Sequence, residues 1–155
     1  MTFTLTSPAF RPGEKIPAKY TCDGKNTSIP LAWTDAPNNT KSFALINDDP
    51  DCSGGPFVHW LIYNIPGHRK DLPENFPLDS DLPDGTLQGL NDFSKIGYGG
   101  PCPPSGTHRY FFTLYALDQV LSLHSKMQRK DLDLAIQTHV LGRAQLMGTY
   151  QRQKK

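Results

Sequence analysis

Val58-His59-Trp60-Leu61-Ile62-Tyr63-Asn64-Ile65 and Tyr110-Phe111-Phe112-Thr113-Leu114-Tyr115-Ala116-Leu117 decide the fold class. Nearly every position is aliphatic, aromatic or β-branched, which suits a pleated, buried strand. Alternation in the first run puts Val58, Trp60, Ile62 and Asn64 on one face, with His59, Leu61, Tyr63 and Ile65 on the other. With both faces largely apolar, the strand belongs inside a sandwich rather than at a wet edge.

Shorter runs extend the pattern. Ser42 to Asn47 has the length of a buried strand, and Leu31 to Thr34 precedes a turn at Asp35-Ala36-Pro37-Asn38-Asn39. Thr2 to Thr6 and Ala144 to Tyr150 alternate, Leu87 to Asn91 is a weak strand, and residues 67–84 read as a surface connection. The 14 prolines and 13 glycines are spread throughout and break long helices. One helix is expected, Lys126 to His139, with Leu132, Ile136 and His139 at i, i+4 and i+7, Ser125 as its N-cap and Gly142 beyond it. The expected fold is mainly β: an antiparallel sandwich with a C-terminal helix and short peripheral helices, in a single domain over residues 1–155.

A chain of 155 residues buries roughly 70% of its unfolded surface and needs no staple. Net charge is +1, and no basic run occurs before Arg152-Gln153-Lys154-Lys155, a solvated tail; this argues against a nucleic-acid partner. The start, Met1-Thr2-Phe3-Thr4-Leu5, lacks the charged and apolar regions of a signal peptide. No run reaches the ~20 apolar residues of a membrane span, so no membrane insertion is expected and the location expected is cytoplasmic. Cys22, Cys52 and Cys102 are an odd set without metal spacing. They are expected as free thiols, with a Cys52–Cys102 redox pair as the alternative.

Each long strand follows a stiff loop rich in polar chemistry. Asp48-Asp49-Pro50-Asp51 leads to His59, and Gly97-Tyr98-Gly99-Gly100-Pro101-Cys102-Pro103-Pro104-Ser105-Gly106-Thr107 leads to His108. Imidazoles donate hydrogen bonds and carry charge near neutral pH. Glycines let backbone N–H groups approach a ligand. Tyr110 shares a strand face with His108 and offers a phenolic donor. Asp49 and Asp51 either orient the histidines or accept from a protonated phosphate or an ammonium. Arg109 points away from His108, as a structural ion-pair partner would.

These segments resemble the two signature motifs of the phosphatidylethanolamine-binding protein family, which includes the Raf kinase inhibitor proteins. Asp49-Pro50-Asp51, His59-Trp60-Leu61 and Asn64-Ile65-Pro66 follow the first motif; Gly100-Pro101, Pro103-Pro104, Gly106, His108-Arg109-Tyr110 and Leu114-Tyr115-Ala116-Leu117 follow the second. Tyr20-Thr21-Cys22-Asp23-Gly24, Leu31-Ala32-Trp33 and the stretch from His139 to Tyr150 look like the bacterial branch. Cys52-Ser53-Gly54-Gly55 stands where many members carry Ala-Pro.

The resemblance implies a sandwich with a small anion-binding cavity at one end, lined by Asp49, Asp51, His59, Gly100, His108 and Tyr110 and walled by Pro50 and Pro104. It implies a small anionic or phosphorylated ligand, a kinase or protease as protein partner, a homodimer, and no cofactor or metal. The alternative is a metal-assisted or acid–base hydrolase using the Asp/His cluster. Against it, the histidines lack metal-binding spacing and Ser105 has no nucleophile-elbow context.

Overall fold

The computed structural model describes residues 2–153; Lys154 and Lys155, the end of the basic tail, lie outside them, as does Met1. The strands are β1 (Thr4–Thr6), β2 (Leu31–Thr34), β3 (Ser42–Asp49), β4 (Phe57–Pro66), β5 (Asp71–Leu72), β6 (Leu87–Gln88), β7 (His108–Leu117) and β8 (Val140–Tyr150). One α-helix, α1 (Arg129–Ile136), precedes β8, and a 3₁₀ turn spans Ala18–Tyr20. A three-stranded sheet runs β1-β2-β5 and a five-stranded sheet runs β6-β4-β3-β7-β8, with every strand pairing antiparallel.

The apolar interior has two parts because the large sheet is covered on both faces. Between the sheets, Leu5, Leu31 and Trp33 meet Phe43, Leu45, Trp60, Ile62, Phe112 and Leu114. On the outer face, Ala44, Ile46, Leu61, Tyr63 and Leu117 pack under Leu132 and Ile136 of α1. Trp60 is fully buried, and its indole N–H donates to Gln88 Oε1 at 2.7 Å. Gln88 in turn donates to the carbonyls of Pro77 and Asp79, fixing the loop beside β6. Among the described residues no helix is long and apolar enough to cross a membrane.

Strict alternation along β4 fails at two points. The β3–β4 register steps from Asn47↔Trp60 to Asp48↔Val58, leaving His59 as an extra residue. It also steps from Phe43↔Ile65 to Leu45↔Ile62, and Asn64 there has a φ of 54°. Each β-bulge shifts the side-chain phase by one residue. Val58 therefore joins Leu61 and Tyr63 under the helix, while Ile65 joins Trp60 and Ile62 between the sheets. Asn64 turns toward Leu121, accepting from its N–H at 2.8 Å and donating to its carbonyl at 2.9 Å.

Other boundaries move for local reasons. The helix is shorter than Lys126 to His139. Lys126 sits at a φ of 67°, which no helix continues through, and Gln128 replaces Ser125 as N-cap. Asp131 Oδ2 accepts from the Gln128 N–H at 3.1 Å, while Ser125 bonds Asp81. His139 lies past the helix, its Nδ1 2.9 Å from Asp118. The connection over residues 67–84 contains β5, whose Leu72 closes the small sheet.

The cysteines require a correction. Cys22 and Cys102 form a disulfide, with Cα atoms 5.4 Å apart across 80 residues of sequence, and Cys52 alone is free. A hydrogen bond from the Cys22 N–H to the Pro101 carbonyl, at 3.1 Å, aligns the two segments. Sequence spacing carries no trace of this pairing, which arises where the loop after the 3₁₀ turn meets the Pro-rich loop.

Candidate functional site

At one end of the large sheet, β3, β4 and β7 bring Asp49, His59, His108 and Tyr110 around a pocket of about 150 Å³. The alternation of β3 directs Asp48 to the helix face, where it pairs with Arg129, and Asp49 to the inter-sheet face. Tyr110 and Phe112 lie on that same face of β7. The bulge turns His59 toward it too, so its ring stands 5.3 Å from the Tyr110 ring. Regular alternation would have placed His59 with Leu61 and Tyr63 under α1.

Each imidazole is held through one nitrogen. His59 Nδ1 lies 2.6 Å from the Gly99 carbonyl, and the Gly99 N–H donates back to the His59 carbonyl at 2.9 Å. Since a carbonyl only accepts, Nδ1 of His59 carries the proton and Nε2 is the ring's remaining polar atom. His108 Nδ1 lies 2.6 Å from Asp49 Oδ2, whose other oxygen accepts from the Asp51 N–H at 2.8 Å. The carboxylate thus orients the His108 ring, with Nε2 left over.

Tyr110 stands apart. The residue is 1% exposed and lines the pocket, yet its hydroxyl makes no hydrogen bond of standard geometry, although the Asp49 carboxylate lies close enough to act on it. Burial, reinforced by the nearby Asp49 charge, pushes its pKa far above the ordinary tyrosine range. It is a protonated donor at any physiological pH. Deeper on the same face of β3, both polar atoms of the Asn47 amide are also buried without partners. A buried polar atom without a partner is uncommon and costs about 1–3 kcal/mol.

Not every residue of the sequence-derived set enters this pocket. Pro104 lines it; Pro50 is exposed and does not. Asp51 is engaged by Arg109, accepting from its backbone N–H, Nε and a terminal nitrogen, each at 2.9 Å. That fork holds the Asp51 carboxyl at about 2. Gly100 lines the neighbouring cleft, and its N–H donates to Asn26 Oδ1 at 2.9 Å. A Cβ there would collide with the Tyr20 carbonyl and Asn26, so close packing requires the glycine. Sequence reasoning missed Phe57 and Phe93, whose rings pack 5.0 and 5.5 Å from that of His59. Phe57 adjoins the first motif and was within reach; Phe93 lies outside both motifs. Among the described residues no three His, Cys, Asp or Glu side chains cluster closely enough to hold a metal ion.

The packing of His59 predicts acid sensitivity. Burial pushes its pKa below the ordinary histidine range. Below about pH 6.5 the unfolded chain therefore binds more protons here than the folded one. This contribution to stability is complete above about pH 6.5 and is lost as pH falls toward the depressed folded value. Urea midpoints should decline from pH 7.5 to 5, and His59→Gln should flatten the decline. An equally steep decline in the variant would assign it to other groups.

An antiparallel sandwich with a histidine pocket at the end of its larger sheet has the fold of a phosphatidylethanolamine-binding protein. Residues 6–151 match the family described as phosphatidylethanolamine-binding protein, and the chain belongs to that family. It is 51% identical over 148 residues to a UPF0098 protein of Methanothermobacter thermautotrophicus, covering 96% of this chain and 98% of that one. It is 47% identical over 149 residues to a UPF0098 protein of Aquifex aeolicus, covering 94% and 86%. Two crystal structures superpose with TM-scores of 0.90. One is described as a homologue of the family from Chlamydia trachomatis, 39% identical, with 98% of this chain and 99% of that chain covered. The other is Escherichia coli YbcL, described as a member of the mammalian family, 32% identical, with coverage of 99% and 100%.

Proposed function

We propose that the protein is a non-catalytic binding protein whose histidine pocket holds a small anion: phosphate, or the phosphoryl group of a head group or modified residue. The observation that carries this reading is the Tyr110 hydroxyl, buried and unpartnered beside two imidazoles that each have one nitrogen left over. A ligand oxygen accepting from Tyr110 removes the cost of that orphan donor. Asp49 then serves to orient His108 rather than to meet the anion. The volume of about 150 Å³ suits a phosphoryl-sized group. Recognition of a phosphorylated group on a kinase or protease, by a homodimer, extends the same reading; the Cys22–Cys102 disulfide speaks against the reducing cytoplasm expected from the sequence.

With Nδ1 engaged, each ring donates from Nε2 only when doubly protonated. Anion binding therefore takes up protons, and affinity falls as pH rises between about 5.5 and 8.5, by up to about tenfold per pH unit for each proton taken up. Sulfate, whose charge is constant there, is the probe for the pH series. Phosphate and phosphoethanolamine titrations followed by NMR test the site itself. The imidazole signals of His59 and His108 should shift saturably. Tyr110→Phe should weaken binding about tenfold, the worth of a hydrogen bond to a charged group, while leaving the fold intact. Affinity unchanged in that variant, or flat between pH 5.5 and 8.5, contradicts the mechanism.

A further inference from the structure

We propose that the cleft between the segment Cys22 to Ser28 and the loop Asn91 to Gly100 is a second binding site, which takes a small organic anion with a flat apolar body, such as an aryl phosphate or aryl carboxylate. The cleft encloses about 390 Å³, against about 150 Å³ for the histidine pocket. That is the size of a small-molecule site. The two cavities share only a wall, made by Phe93 and Cys102.

The lining carries both halves of the argument. Phe76 and Tyr98 provide an aromatic surface that is already fixed, because each ring packs edge-on against buried Trp60. Leu78 and Phe93 stand at the same cleft 62% and 40% exposed, an apolar margin beside a concavity rather than scattered surface residues. Lys25 and Lys95 line it as well, and no aspartate or glutamate does. Neither lysine forms an ion pair among the described residues. Glu74 acts on Lys25 from a distance but is engaged by Lys19 and by the Tyr20 hydroxyl, at 2.6 Å.

Two uncommitted cations lining the same cleft as an aromatic surface, with no opposing carboxylate, select an anion whose body is flat and apolar. Asn26 Oδ1 is occupied by the Gly100 N–H, which leaves the amide NH₂ as a further donor in the cleft. Apart from the shared wall of Phe93 and Cys102, none of these groups lines the histidine pocket, so the two sites can be tested separately.

The test is a ¹⁵N NMR titration of the full chain with phenyl phosphate, benzoate and inorganic phosphate. Both aryl anions should shift the amides of Asn26, Lys95 and Ile96, which line the cleft but not the histidine pocket, saturably. Inorganic phosphate, lacking apolar contact, should bind there at least about tenfold more weakly. The double variant Lys25→Met, Lys95→Met keeps the apolar stems and should bind phenyl phosphate about tenfold more weakly. In Tyr110→Phe the cleft shifts should persist while phosphate binding at the histidines weakens. The proposal is overturned by an absence of saturable shifts at those amides, by unchanged affinity in the double lysine variant, or by cleft shifts that vanish in Tyr110→Phe.

Discussion

Replacing Cys22 and Cys102 together by serine should lower the unfolding free energy by about 2–4 kcal/mol. The bond joins residues 80 apart, so it removes many conformations from the unfolded chain. For a domain of this length each kcal/mol lowers Tm by about 2–4 °C, so a fall of roughly 5–15 °C is expected in thermal unfolding. A thiol assay on unfolded protein should count one reactive group, Cys52, before reduction and three after. An unchanged Tm in the double variant, or three thiols without reductant, would show that the cross-link does not hold the fold. The local consequence concerns the pocket. Cys102 lines both cavities, and the Pro-rich loop carrying it leads into His108. Loss of the bond should weaken phosphate binding along with stability.

The second large effect follows from the Asp49–His108 pair. Their side chains are 5% and 12% exposed, so His108→Ala leaves a carboxylate nearly buried without its partner. Leaving a buried acceptor without its donor costs about 1–3 kcal/mol, and more where the acceptor is charged. The solvent that reaches the pocket holds this to about 3 kcal/mol here. Removing both partners should cost less than the sum of the single losses, because no unpaired charge remains. In a double-mutant cycle of Asp49→Ala and His108→Ala, a coupling of about 1–3 kcal/mol is expected from urea unfolding at pH 7.5. Additive losses would mean the pair contributes nothing beyond its separate contacts. The same cycle bears on ligand studies: a binding defect in His108→Ala includes a stability defect, whereas Tyr110→Phe removes only an unpartnered hydroxyl.

Much of the sandwich could be read from the chain because its long strands are apolar on both faces and its turns are rich in proline and glycine. The bounds of β2 and the cores of β3, β4 and β7 follow from composition alone. The short strand β5 does not, since two residues carry no periodicity and are fixed by their partner β2, while β6 keeps only the first two residues of the weak strand read at Leu87 to Asn91. Leu132 and Ile136 do face the core, but the helix starts later than its pattern because Lys126 takes a left-handed conformation. At the site, motif order brought Asp49, His59, His108 and Tyr110 to notice together. It could not separate Asp49 from Asp51, since only the fold reveals that Arg109 engages Asp51. Nor could it pair Cys22 with Cys102, because contact between distant loops leaves no local pattern.

The extra residue in β4 gives this pocket an unusual vulnerability. Trp60 is anchored between the sheets, so its neighbour His59 shares that side only because the strand is one residue longer than its partner requires. A chain shortened by one residue between Phe57 and Trp60 would keep both histidines, both aspartates and Tyr110. Its imidazole would nonetheless swing to the layer under α1, among Leu61 and Tyr63. Part of the site is therefore encoded in chain length rather than in residue identity. A relative with every expected side chain but a different count across this strand would carry the same letters and lack the same pocket.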